Sequence, residues 1–259
     1  MLSQDREASP LELSRRCFFP TAVAGMSFGS VAPCCAVHAA EQATPTLADD
    51  ELLQPLTKAA RDALTPDEVI ARVKSGNERF RTGKKQHRDL LVELQRTAGG
   101  QWPEAVVLGC IDSRAPAEII FDQGLGDIFN CRVAGNVESA DMLGSIEFAT
   151  KLAGAKLILI LGHSACGAVK GAIAEAELGN LTQLLAKIRG AITETTYQGN
   201  RTADNPEFVD AVARKSVQLT MERMRKGSAV IAGLERSATL KIVGCFYDLS
   251  TGGIEFLEK

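Results

Sequence analysis

The chain has 259 residues, 45% hydrophobic and 24% charged, with a formal net charge of −3. These are the proportions of a globular protein long enough to bury a core without disulfide or metal staples, and the charge leaves no footprint for nucleic acid. Seven cysteines, an odd and scattered set, make a poor disulfide framework, and only three histidines are present to complete a metal site.

Residues 1–39 read as a signal segment. A polar stretch ends in Ser14-Arg15-Arg16, no charged residue lies between Cys17 and Ala40, and Val37-His38-Ala39 offers small residues at a cleavage point. The arginine pair before Cys17-Phe18-Phe19 looks like a twin-arginine signal, which exports folded proteins. Pro20 and Pro33 suit a spanning helix poorly, and Pro33 fits a lipid-modified Cys34 badly. Export to a periplasm is therefore expected, with a thylakoid lumen or a lipoprotein anchor as the alternative. Cys110, Cys131, Cys166 and Cys245 would remain after cleavage.

Residues 40–64 read as a linker running into a helix, and residues 65–259 as one catalytic domain. Thr65-Pro66-Asp67-Glu68 is a helix start, with Thr65 as N-cap, Pro66 at the first helical position and Glu68 closing a capping box. Val69, Val73 and Phe80 carry the helical spacing to Arg81, and the charged run Lys84–Asp89 reads as a solvated face. Buried strands follow at Ala105–Gly109 and Ile128–Val133, then a helix over Met142–Leu152. Leu157–Leu161 is an unbroken Leu/Ile run, the mark of a strand buried on both faces. A helix starts at Ser164–Ala174, and Thr182–Ile192 and Glu207–Arg225 read as amphipathic helices. Thr239–Tyr247 is a last long strand, and the turn Thr251-Gly252-Gly253 leads into Ile254–Leu257. Alternation of this kind predicts an α/β fold, a mostly parallel central sheet flanked by helices.

Two segments at predicted strand ends carry chemistry: Cys110-Ile111-Asp112-Ser113-Arg114 and Gly162-His163-Ser164-Ala165-Cys166-Gly167. The carboxyl edge of such a sheet is where ligands bind. Two thiols and an imidazole are ligands that zinc prefers, and three protein ligands with an open position is the layout of a catalytic site. Taken singly, each cysteine reads as a small buried apolar residue and the histidine as scaffold. Gly167 is followed by Ala168 and Val169, so the second segment is neither a phosphate-binding loop of the Walker type nor a dinucleotide fingerprint. Cys131 and Cys245 fall inside strand patterns and are expected in the core.

Both segments together, in this order, resemble the β-class carbonic anhydrases over roughly residues 65–257, and the signal segment resembles exported, cyanobacterial-like members. The resemblance implies a parallel sheet extended by an antiparallel strand. It also implies reversible hydration of carbon dioxide to bicarbonate and a proton by zinc-bound hydroxide. It assigns one Zn2+ per chain to Cys110, His163 and Cys166, and a dyad to Asp112 and Arg114. The Asp112 carboxylate either accepts a hydrogen bond from the hydroxide or itself joins the metal. Gln101 matches a substrate-binding glutamine, and Phe129 and Gly167 match pocket positions. Phe148 stands where plant-type members have a tyrosine, and Val107 where some bacterial members have a regulatory tryptophan. A homodimer or higher homo-oligomer is implied, with sites at the subunit interface. Only His87 is left as a histidine proton shuttle. A relative acting on carbon disulfide or carbonyl sulfide stays open, as does a non-catalytic zinc scaffold, although a scaffold has no need of Asp112, Arg114 and Gln101.

Overall fold

The computed structural model describes residues 54–257; the signal segment, and most of the linker before the first helix, lie outside the described residues. Helix α1 (Lys58–Ala63) leads to α2 (Pro66–Arg81), which begins at the expected capping box: Thr65 Oγ1 accepts from the Glu68 amide and the Glu68 carboxylate accepts from the Thr65 amide.

Five strands follow among the described residues: β1 (Ala105–Gly109), β2 (Ile128–Arg132), β3 (Leu157–His163), β4 (Lys241–Tyr247) and β5 (Ile254–Leu257). They form one sheet in the order β2-β1-β3-β4-β5, parallel except for β5, which pairs antiparallel with β4. Side chains alternate across it. Val107, Leu157, Leu159 and Leu161 meet Val69 and Val73 of α2 on one face. Val106, Leu108, Ile158 and Ile160 meet Val217 and Met221 on the other, from α8 (Pro206–Gly227). Burial on both faces is why these strands read as continuous apolar runs.

Several elements depart from the sequence reading. Helix α3 (Leu90–Thr97) falls where the residues form no helical stripe, because Leu90, Leu91 and Leu94 face solvent. Asp89 caps it by accepting from the Leu91 and Val92 amides. The short α4 (Ala117–Ile120), and α9 (Ala229–Arg236), add two helices beyond those the pattern predicts. The helix expected over Met142–Leu152 is α5 (Ala140–Glu147) followed by one π-helical turn, Phe148–Leu152. Helices α6 (Gly167–Ile173) and α7 (Gly179–Glu194) lie between β3 and α8.

Strand β3 runs two residues past the expected end at Leu161, pairing Gly162 with Phe246 and His163 with Tyr247. Glycine is required there by α8: a Cβ on Gly162 would stand 2.6 Å from Val217 Cγ2. Gly162→Ala should lower stability by about 1–3 kcal/mol through overpacking, read as a lower urea midpoint followed by circular dichroism. An unchanged midpoint would show that α8 yields freely and does not set the position of this strand end.

Candidate metal centre and active site

Strands β1 and β3 lie side by side with Gly109 opposite Leu161, so Cys110 leaves the sheet where Gly162 and His163 finish it. Ser164 and Ala165 then turn the chain into α6, whose N-cap is Cys166. The ligand atoms of Cys110, His163 and Cys166 all lie within 4.8 Å of one another, and all three residues are buried.

The turn between His163 and Cys166 is held from three sides. The Ser164 amide donates to the Tyr247 carbonyl, 2.9 Å, and the Leu249 amide donates to Ser164 Oγ, 3.0 Å. Ala165 sits at φ +54°, a left-handed conformation unfavourable for a residue with a Cβ. Its amide donates to Asp210 Oδ1 on α8 at 2.9 Å, a charge-assisted bond that helps fix the turn.

The donor chemistry fits a thiophilic divalent cation. His163 Nδ1 lies 2.9 Å from the Ser164 carbonyl, which makes Nδ1 the protonated nitrogen and leaves Nε2 a lone pair. Nε2 is buried and has no hydrogen-bond partner among the described residues. Cys110 Sγ accepts the Gly135 amide at 3.3 Å, from a turn in which Gly135 has φ +70°. A hydrogen bond from Cys166 holds the Cys110 thiol well below its ordinary range against the opposing effect of burial. Cys166, the donor of that bond and more deeply buried, is pushed up. Burial works against charge on His163, yet the adjoining Cys110 sulfur raises it overall. Two sulfurs and an imidazole whose ligand atoms converge in this way make a donor set that fits a soft divalent cation.

Beside the cluster, Arg114 grips Asp112 with a two-pronged bond, Nε to Oδ1 at 3.0 Å and Nη2 to Oδ2 at 2.8 Å, while the Arg114 amide adds a third at 3.0 Å. These bonds hold the Asp112 carboxyl well below the usual carboxylate range. Asp112 Oδ2 comes within 4.0 Å of His163 Nε2. The structure thus brings together Cys110, Asp112, Arg114, His163 and Cys166, and Gly167 opens α6 directly behind Cys166.

Three other expected site residues are elsewhere in the chain. Gln101 precedes β1, at the end of the strand opposite Cys110, and lines a shallow cleft with Thr97 and Gly126. Phe129 pairs with Val106, three residues before the Arg132–Gly109 pair, which is about 10 Å along the strand. Its ring packs edge-on against Phe148, centroids 6.3 Å apart, in a surface hollow that includes Cys131. Cys131 is therefore half-buried rather than a core residue, because the hollow opens one side of β2, whereas Cys245 is fully buried as expected. His87 is exposed and lines a groove with Glu118 and Leu125, a groove that includes none of the three ligands. Gly135, Arg132 and Asp210 escaped the sequence reading. Each reaches the site from a distant element, and no local motif marks it.

A thiolate–imidazole centre at the carboxyl edge of a parallel sheet, with a clamped carboxylate beside it, defines an α/β metalloenzyme site. The family model described as carbonic anhydrase matches residues 105–254. Carbonic anhydrase 2 of Mycobacterium tuberculosis is 40% identical over 182 residues, which is 70% of this chain and 87% of that protein. The carbonic anhydrase of Mycolicibacterium smegmatis is 37% identical over 185 residues, 71% of this chain and 89% of its own. A tetrameric β-carbonic anhydrase of Sordaria macrospora superposes with a TM-score of 0.59 at 28% identity, covering 64% of this chain and 86% of that one. The chain belongs to the β-class carbonic anhydrases and is a carbonic anhydrase, a lyase; zinc dependence is general in that family.

Proposed function

We propose that Cys110, His163 and Cys166 hold one Zn2+ per chain and that Asp112 and Arg114 are the dyad serving it in carbon dioxide hydration. The observation that carries this reading is the buried cluster with an unpartnered His163 Nε2 beside the Arg114-clamped Asp112. Bound zinc supplies the acidification of a water molecule near neutral pH. The residues supply the rest. Asp112, kept ionised by Arg114, accepts a hydrogen bond from the reacting water at Oδ2 and turns the oxygen lone pair toward carbon dioxide. Arg114 prevents that carboxylate from becoming a competing ligand. The Gly135 amide offsets charge on Cys110 Sγ.

Substrate contacts by Gln101, Phe129 and Phe148 require a second copy of the chain in this reading, because each chain carries them away from its own cluster. Phe148 is 54% exposed, and α3 presents Leu90, Leu91 and Leu94 to solvent. Apolar groups left outside suit a homo-oligomer, and the Sordaria relative is tetrameric.

Zinc content and hydration activity, measured on the same preparations, test the assignment. Cys166→Ser should lose the metal and with it the activity. Arg114→Ala should keep zinc but lose about ten- to a hundredfold in turnover per bound zinc, the scale of one charge-assisted bond made in the transition state. Full zinc in the serine variant would refute the ligand set, and equal turnover in the alanine variant would remove the dyad from catalysis.

Residues 1–39 direct export to a periplasm in this same reading, on the strength of the tripartite segment described above. Amino-terminal sequencing of protein from the native host should find a mature chain beginning near residue 40. A chain retaining Met1 or Leu2 would refute export and leave the chemistry untouched.

A further inference from the structure

Arg132 is not a ligand, and its described hydrogen bonds both go to main-chain carbonyls of the segment that carries the site. At the end of β2, the Val133 amide donates to the Gly109 carbonyl at 3.1 Å, the last backbone bond of the β1–β2 edge. The Arg132 side chain then continues the ladder beyond the strands. Its Nε donates to the Cys110 carbonyl at 2.9 Å and its Nη2 to the Asp112 carbonyl at 2.5 Å. Asp112 also receives the Ala115 amide at 3.0 Å, so the two donors together turn the segment back at Asp112. One planar cation thereby fixes the Cys110–Ile111 and Asp112–Ser113 peptide units, with Ile111, itself 61% exposed, lying between them.

We infer that Arg132 is a positioning residue for the reaction: its fork sets where the Cys110–Arg114 segment stands, and through it the pose of the Asp112 carboxylate beside the three ligands. The inference rests on the zinc and dyad assignment above. Cys110 is also held by Gly135 through its sulfur, so its place is doubly determined. Asp112 is paired with Arg114 only two residues away on the same segment, so that pair moves as a body unless the main chain is pinned. Arg132 supplies that pin from another strand. Lysine is a poor replacement, because a single ammonium cannot present two coplanar donors.

The test uses full-length zinc-loaded enzyme, with Arg132→Met and Arg132→Lys made in wild type and in Arg114→Ala. Zinc content, zinc release to a coloured chelator, and kcat and KM for carbon dioxide hydration are measured. In the wild-type background Arg132→Met should lower kcat per bound zinc about tenfold or more with little change in KM, and should speed zinc release; Arg132→Lys should recover only part of the loss. In the Arg114→Ala background the same change should cost less than about threefold, because Asp112 has already lost its fixed pose. The inference is overturned if kcat per zinc and zinc release match wild type, or if the loss is the same factor in both backgrounds, which is what a general stability role would give. Failure of both variants to fold would also overturn it, since Arg132 would then serve the fold. A wild-type protein without zinc or activity would instead strike the underlying assignment.

Discussion

The register between β1 and β3 is the constraint on which the site depends. Gly109 opposite Leu161 brings Cys110 level with the last two residues of β3, and so places Cys110 and His163 at neighbouring strand ends before any side chain is positioned. A slip of one residue would turn His163 to the other face of the sheet. The register is held by burial on both faces, where Val106 to Leu108 and Leu157 to Leu161 have essentially no solvent exposure. Helix α8 adds a steric limit at Gly162 and, through Asp210, grips the Ala165 amide. Core packing and ligand geometry are in this sense a single structure.

Charge is arranged around that geometry. The Cys110 sulfur and the Asp112 carboxylate, both held toward their charged forms, meet at one sheet edge, a combination that is unfavourable without positive groups nearby. Arg114 answers the carboxylate directly. Arg132 brings a guanidinium close while spending its donors on carbonyls, and the Gly135 amide meets the Cys110 sulfur. The ligand atoms of Cys110, His163 and Cys166 converge within 4.8 Å beside these groups, a set that could hold a metal ion.

Much of this was legible in the sequence, for identifiable reasons. Strands buried on both faces announce themselves as apolar runs, and Thr65-Pro66-Asp67-Glu68 announces α2 through its caps. The clustering of Cys110, His163 and Cys166 was legible because both segments follow such runs. Helix α3 was not, since its leucines are exposed and leave no stripe. The end of β3 was missed because Gly162-His163 has the composition of a turn, and only packing against Val217 shows why a strand needs glycine there. Arg132, Gly135 and Asp210 act across tens of residues, and nothing in local spacing marks such partners. Gln101, Phe129 and Phe148 were named through family resemblance alone, and within one chain they stand away from the cluster.

Zinc-edge X-ray absorption on protein purified with its native metal bears most directly on the central claim, because it reads the atoms around the ion without relying on any variant. The account predicts a shell of two sulfurs at about 2.3 Å with two nitrogen or oxygen neighbours at about 2.0–2.1 Å. A shell of nitrogen and oxygen alone, or one with four sulfurs, would contradict it.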